Sequence, residues 1–170
     1  MRVHYIFLFL VLALTACNRF HQTVFRSDGK VNYPLTSDEE SMLDSIQHKT
    51  LLFFLNEHHP EWGIVKDRAA DWAPASIAST GFGIPSFAVG VERNWMTREQ
   101  AALITLNILD FLTGSVQSAD TSASGYKGFY YHFLRLNTGT RAWRCELSSV
   151  DTGLLMMGII FARNYYSLDN

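Results

Sequence analysis

Two acidic side chains, Glu146 and Asp151, have the residue types and the spacing that acid–base chemistry requires. On one continuous helix, a separation of five residues would turn them about 140° apart, so they would not share a face. Both could face one cleft if Glu146 lies before a helix and Asp151 lies in its first turn. One carboxyl group could then act as a general acid while the other activates water.

Asp151 has a second interpretation, because Ser148 and Asp151 match the S-x-x-D pattern of a helix capping box. In such a box the acidic residue stabilises the start of the helix and needs no substrate. The spacing alone leaves both interpretations open for Asp151, and it leaves catalysis open for Glu146.

A third candidate carboxylate, Asp67, lies in the triplet Lys66-Asp67-Arg68 within a predicted loop. Asp67 could face a sugar, with Arg68 as its salt-bridge partner. Charged triplets in loops are usually solvated, so this triplet is a weak signal when it is taken alone.

The histidines and cysteines indicate no metal site and no thiol chemistry. His58 and His59 lie near Glu61, but adjacent histidines at a helix end lack an evident third ligand, so we predict no metal. Cys145 follows an aromatic segment and has no histidine at a known spacing, which favours a small buried residue over a nucleophile.

Aromatic residues make up 14% of the chain and concentrate before Glu146. They could form platforms on which sugar rings stack, although a core needs aromatic residues as well. The candidate platforms are Trp62, Trp72, Tyr131 and Trp143. Carboxylates beside an aromatic wall are typical of proteins that bind carbohydrates.

Helices are the elements that must position these residues. Ser37 with Glu40 predicts a capping box for a first helix, and Thr97 with Gln100 predicts one for a third. A second helix, rich in small residues, is expected to start with Pro74 in its first turn and to kink or break at Pro85.

A hairpin and a last helix complete the predicted domain. Residues 129–136 alternate as a strand, residues 137–139 form the turn, and residues 140–144 form the partner strand. The last helix is expected from about residue 148 to about residue 166. The predicted fold class is therefore mainly α, with one β-hairpin.

The amino terminus resembles a bacterial lipoprotein signal peptide over residues 1–16, followed by Cys17. This implies a lipid on Cys17, a tether over residues 17–35, and a domain over residues 36–170 in the cell envelope. Asn18 favours the outer membrane or periplasm under lipoprotein sorting rules. The net charge of −2 provides no basic surface, so nucleic acid is not an expected partner.

Five ordered segments together resemble the glucoamylase-like family, which includes bacterial β-1,2-glucanases and domains of cyclic β-1,2-glucan synthases. The segments are Lys66-Asp67-Arg68, residues 75–83, residues 88–95, residues 128–133 and residues 146–152. The resemblance implies a toroid of six helix pairs, the (α/α)6 fold, and hydrolysis of a β-glucan, with the β-1,2 linkage favoured. It implies no metal and no organic cofactor.

The resemblance also implies roles for individual residues. Asp67, Glu146 and Asp151 match the acidic positions of the family's cleft. Arg68, Tyr131, His132 and Trp143 are the expected contacts to an oligo- or polysaccharide. The implied reaction inverts the sugar anomer through water, for which two carboxyl groups stand about 6.5–9.5 Å apart.

This chain supplies about a third of the helices of a full toroid, so we expect it to be the amino-terminal portion of a longer domain. Two alternatives stay open. The chain could bind sugars as a lipoprotein without turnover, or it could be an inactive fragment whose apolar helix faces remain exposed.

Overall fold

The computed structural model describes residues 34–167. The predicted signal peptide, Cys17 and nearly all of the predicted tether lie outside the described residues. The chain divides into two units on either side of residue 44, and their described parts, residues 34–44 and residues 45–167, are treated separately below.

Four α-helices dominate the described residues, which confirms the mainly α prediction. They are α1 (Ser37–Glu57), α2 (Ile77–Glu92), α3 (Arg98–Gly114) and α4 (Ser149–Ser167). None of the helices within residues 34–167 is long and apolar enough to cross a lipid bilayer.

In the first unit, the described part consists of residues 34–44 and holds the start of α1. The capping box forms one residue earlier than predicted, because Thr36 and Glu39 make the reciprocal bonds. The Glu39 N–H donates to Thr36 Oγ1 at 3.3 Å, and the Thr36 N–H donates to Glu39 Oε2 at 2.8 Å. Ser37 and Glu40 match the same pattern but lie inside the helix.

In the second unit, α2 begins three residues after Pro74 rather than at it. Ala75 and Ser76 form a short strand, β1, and the Ser76 side chain caps α2 by accepting the Ser79 N–H. The helix continues through Pro85 without a break. The predicted capping box of α3 is confirmed, since Thr97 and Gln100 make both of its bonds.

The strands are shorter than predicted and pair over longer distances. They are β1 (Ala75–Ser76), β2 (Gly125–Tyr126), β3 (Phe129–Tyr131), β4 (Phe133–Leu134) and β5 (Leu147–Ser148). β1 pairs with β4, and β3 lies between β2 and β5; all pairs are antiparallel.

The predicted hairpin is reduced to a tight turn closed by one bridge between Leu134 and Arg141. Inside it, the Arg135 N–H donates to the Thr140 carbonyl at 2.8 Å. Gly139 has a φ of +67°, a left-handed conformation that favours glycine. The Ala142 N–H still donates to the Phe133 carbonyl at 2.9 Å, but residues 142–144 form no partner strand because Trp143 has a left-handed φ of +52°.

The core of the second unit lies between the helices. Its largest fully buried side chains include Phe87, Ile84 and Leu155. α2 and α4 approach closely at Gly81 and Gly158, both buried, and a Cβ atom on Gly81 would lie 2.7 Å from the Leu154 carbonyl oxygen. Small residues at this crossing therefore set the distance between the two helices.

Several large apolar side chains of α3 and α4 remain exposed. They are Leu103, Leu106, Met156, Met157, Ile160 and Phe161. Within the described residues these faces have no covering element.

Candidate active site

His132 lies where two strand-to-helix connections meet. Its backbone carbonyl accepts the Ile77 N–H at the start of α2, at 3.2 Å. Its own N–H donates to the Glu146 carbonyl, just before β5 and α4, at 3.0 Å. The first turns of both helices therefore lie beside His132, and the positive ends of their dipoles favour carboxylates there.

The side chains of His132, Glu146 and Asp151 form one group. His132 Nδ1 lies 3.0 Å from Glu146 Oε1 and 3.6 Å from Asp151 Oδ2. The Glu146 side chain is 67% exposed, whereas that of Asp151 is 11% exposed. Glu146 can therefore contact a ligand directly, while Asp151 mainly contacts its protein neighbours.

Asp151 is held by Ser148, the residue that caps α4. The Asp151 N–H donates to Ser148 Oγ at 3.1 Å, and the Ser148 hydroxyl donates to Asp151 Oδ2. The two interpretations of Asp151 are thus compatible, because its backbone takes part in the cap while its carboxylate also faces His132.

The pKa of the Glu146 carboxyl is lowered from its ordinary value. The main cause is the hydrogen bond from His132, followed by a hydrogen bond to the backbone N–H of Glu146 and the positive charges of His132 and Arg141. Glu146 is therefore ionised at neutral pH in this arrangement.

The spacing of Glu146 and Asp151 is shorter than an inverting pair needs. One oxygen of each carboxylate and one nitrogen of His132 all lie within 4.8 Å of one another. Inverting glycosidases separate their two carboxyl groups by about 6.5–9.5 Å to leave room for water. The nearest oxygens of Asp151 and Glu146 lie closer together than this range.

The same group is the set of side chains in residues 34–167 that could hold a metal ion. One histidine nitrogen and two carboxylate oxygens match the ligand types of zinc sites. His58 and His59 do not form such a group with Glu61. Instead, His58 Nδ1 lies 2.8 Å from the Leu55 carbonyl, and His59 Nδ1 accepts two backbone N–H groups.

An aromatic path leads from His132 to Trp143. The His132 ring stacks on Phe133 at 3.9 Å, and Phe133 meets Trp143 edge-on at 5.4 Å. Trp143 is 57% exposed and can present a ring face to a sugar. Tyr131, by contrast, is buried, and the Arg141 guanidinium lies 4.5 Å above its ring.

Asp67 and Arg68 form a separate local pair, with Arg68 Nη2 2.6 Å from Asp67 Oδ2. The Arg68 guanidinium also lies 5.6 Å from the Trp72 ring centroid. Asp67 is not a member of the His132 group. Its N–H donates to the Pro74 carbonyl at 2.9 Å, in the same way that the His132 N–H donates to the Glu146 carbonyl.

Two threonines at the starts of α2 and α4 also shape the site, although neither is among the residues that the sequence predicts. The Thr152 hydroxyl donates to the Ser148 carbonyl and accepts the Tyr130 N–H at 3.0 Å, which ties α4 to β3. Thr80 makes the equivalent bonds to Ser76 and Val65. The repeated pattern S-x-x-x-T-G over residues 76–81 and 148–153 was the available signal.

Comparison with known proteins identifies relatives over most of the chain. No protein-family model matches the sequence. The exo β-1,2-glucooligosaccharide sophorohydrolase (non-reducing end) of Parabacteroides distasonis is 27% identical over 144 residues, which cover 81% of this chain and 19% of that protein.

Solved structures share the fold. A glucoamylase-like protein of Bacteroides uniformis matches with a TM-score of 0.64 and 29% identity, over 81% of this chain and 33% of that one. A β-1,2-glucanase of Parabacteroides distasonis matches with a TM-score of 0.67 and 24% identity, over 83% of this chain and 20% of that one.

The chain thus spans between a fifth and a third of the length of these proteins. The predicted resemblance is confirmed: over about four-fifths of its length, this chain is similar in sequence to the sophorohydrolase and the glucoamylase-like protein, and it shares the fold of the glucoamylase-like protein and of the β-1,2-glucanase.

Proposed function

We propose that this chain contributes part of the catalytic cleft of a glycoside hydrolase acting on β-glucan, with the β-1,2 linkage favoured. The observation that carries the proposal is the exposed Glu146 carboxylate, held by His132 beside the buried Asp151. The β-1,2-linked substrates in the names of the relatives favour that linkage.

In the proposed reaction, Glu146 is the described carboxylate that touches the glycosidic bond or the attacking water. Asp151 acts through His132 and is a positioning residue. An inverting reaction needs a second carboxyl group about 6.5–9.5 Å from Glu146, and the nearest oxygen of Asp151 lies closer than this. Asp67 and Arg68 are proposed to bind a sugar hydroxyl on the side of α2, and Trp143 a sugar ring.

We further propose that the protein is anchored in the cell envelope by a lipid on Cys17. The apolar run before Leu14-Thr15-Ala16-Cys17 supports this proposal. Mass spectrometry of the membrane fraction tests it: acyl chains on Cys17 are expected, and a Cys17→Ala variant should leave the membrane fraction. A wild-type protein without a lipid would contradict the anchor.

The activity is tested with protein starting at residue 18, mixed with linear β-1,2-glucan or with β-1,3- and β-1,4-glucans as controls. New reducing ends are expected from the β-1,2-glucan, and NMR of the first product should show the inverted anomer. Sugar affinity without hydrolysis, unchanged in Glu146→Gln, would instead indicate a binding protein.

A chimaera distinguishes two explanations for a lack of activity: an incorrect functional proposal, or a chain that is too short to be active by itself. Residues 37–167 replace the matching segment of the Parabacteroides sophorohydrolase, and hydrolysis is measured with and without Glu146→Gln. Activity that depends on Glu146 supports the proposal. A folded chimaera whose activity ignores Glu146 contradicts it.

A further inference from the structure

Three arginine side chains line a cavity near the side chains of His132, Glu146 and Asp151. The cavity has a volume of about 470 Å³, and its lining residues are Thr121, Ser122, Arg135, Arg141, Trp143 and Arg144. We call it the arginine cavity. Its volume lies in the range of about 300–1,000 Å³ that is usual for small-molecule sites.

The positive charge of this region is local. Residues 121–145 contain no aspartate or glutamate, although the chain as a whole has a net charge of −2. The same segment contains Lys127 in addition to the three arginines. A cavity walled by this segment therefore favours a negative ligand.

Two of the arginines are fixed by the fold. Arg141 Nε donates to the Cys145 carbonyl at 2.6 Å, and its guanidinium lies over Tyr131. Arg135 Nη1 donates to the Arg141 carbonyl. Each guanidinium has five N–H donors, and these bonds use one of them in each case. Both groups are thus held in place with most donors still available among the described residues.

The third arginine, Arg144, is exposed and has no hydrogen bond or ion pair with any residue between 34 and 167. It follows Trp143, whose φ of +52° is rare for a bulky side chain. Trp143 and Arg144 both line the cavity. Asp120, the acidic residue just before the segment, accepts the Ser122 N–H and hydroxyl, both at 2.9 Å.

We propose that the arginine cavity binds an anionic group, a carboxylate or a phosphate ester, carried by a saccharide that contacts Trp143 and extends toward Glu146. The inference deepens the proposed function and rests on it for the saccharide. Guanidinium groups bind both anions through paired, charge-assisted hydrogen bonds. Arg141 donates to the carbonyl of Cys145, the residue before Glu146, so the cavity adjoins the side chains of His132, Glu146 and Asp151.

Binding of three probes tests the inference: glucose 6-phosphate, glucuronate and glucose, each titrated by NMR into protein starting at residue 18. Both acids are expected to bind at least about tenfold more tightly than glucose, because charged hydrogen bonds are stronger than neutral ones. The two acids distinguish a phosphate site from a carboxylate site.

Arg144→Gln is the test variant, and Arg163→Gln is its matched control. Both remove one exposed arginine charge, but Arg163 lies on α4 outside the cavity. Arg144→Gln is expected to weaken binding of the acids about tenfold and to leave binding of glucose unchanged. Arg144→Lys keeps the charge but loses the planar guanidinium, so its affinity for the acids should lie between those of the wild type and Arg144→Gln. This variant replaces Arg144→Gln if the glutamine variant misfolds.

An equal loss of affinity for the acids in Arg163→Gln would show general charge attraction and would overturn the inference. Equal affinity of the wild type for glucose and for both acids would overturn it as well. Hydrolysis of neutral β-1,2-glucan is measured in the chimaera, with and without Glu146→Gln. Arg144-dependent binding of acids together with chimaera activity that ignores Glu146 would contradict the proposed function alone. Hydrolysis without such binding would overturn the arginine cavity alone.

Discussion

The first turns of α2 and α4 are built with the same bonds but carry different side chains. In each, a serine caps the helix, and a threonine four residues later bonds the serine carbonyl. The threonine also accepts a backbone N–H from a neighbouring segment. The serines are Ser76 and Ser148, and the threonines are Thr80 and Thr152.

The third helical position differs, with Ser79 in α2 and Asp151 in α4. The neighbouring segment differs as well. Beside α2 the Asp67 N–H donates to the carbonyl two residues before the capping serine, and beside α4 the His132 N–H makes the same bond. The repeated bonds fix where each helix starts. The chemistry then depends on a few side chains that these starts bring together, and only α4 has a buried carboxylate beside a histidine.

The largest expected effect is the loss of kcat when Glu146, which lies beside α4 and has no counterpart beside α2, is replaced. Glu146→Gln should lower kcat for β-1,2-glucan by about 10³, because acid–base groups typically contribute factors of 10²–10⁴. Reducing-end assays measure the rate, and NMR titration with oligosaccharide should show binding retained. A variant with more than half of the wild-type kcat would contradict a catalytic role.

The two caps provide a matched pair of variants. Ser148→Ala and Ser76→Ala should each lower the free energy of unfolding by about 1 kcal/mol, the usual cost of losing a cap. Only Ser148→Ala should also lower kcat, by at least about tenfold, since Asp151 then loses the hydroxyl that holds it. Urea denaturation and rate assays on both variants check this, and equal losses of kcat would remove the distinction between the helices.

Asp67 should affect affinity rather than rate. Asp67→Asn weakens its ion pair with Arg68 and is expected to raise KM about tenfold, with kcat nearly unchanged. Initial rates over a range of glucan concentrations separate the two constants. A loss of kcat as large as that of Glu146→Gln would identify Asp67 as the second catalytic carboxylate.

His132 should set the protonation of Glu146. His132→Phe keeps the stacking on Phe133 but removes the hydrogen-bond donor, so the pKa of Glu146 should rise toward its ordinary value. The wild-type bond favours the folded state above the unfolded pKa and is lost as pH falls through the lowered folded value. Carbon NMR of the Glu146 carboxyl group measures the shift; an unchanged pKa would show that His132 is not its main cause.

The smallest effect is expected from a variant that gives α2 the carboxylate that α4 has at its third position. Ser79→Asp places a carboxylate at the third position of α2, where it should stabilise the helix by about 0.3–1 kcal/mol through the dipole. Hydrolysis should stay unchanged, because no histidine lies at the equivalent of His132. A changed rate would show that α2 takes part in the reaction more directly.

The sequence predicted the features that depend on neighbouring residues. The α3 capping box and the bond between Ser148 and Asp151 at the start of α4 could be predicted because Thr97 with Gln100, and Ser148 with Asp151, are three residues apart. The box of α1 was misplaced by one residue because Thr36 with Glu39 and Ser37 with Glu40 match the pattern equally well.

The strands could not be predicted in the same way. β4 was assigned to a local hairpin, but it pairs with β1, which lies more than fifty residues earlier in the chain. Residues 129–136 alternate as one strand, yet the chain changes partners at His132, so Tyr131 and Leu134 are both buried. The distance between Glu146 and Asp151 also depends on this change of partners and could not be predicted from their spacing.

Pro85 has no N–H to offer the Gly81 carbonyl, and that carbonyl faces α4 at Gly158. A methyl group at residue 158 would meet this oxygen and act as a spacer between the two helices. Because His132 contacts the starts of both helices, such a spacer would widen the cleft from a buried point that touches no substrate. Variation at residue 158 is thus expected to change the separation of the two helices without altering any side chain of the His132, Glu146 and Asp151 group.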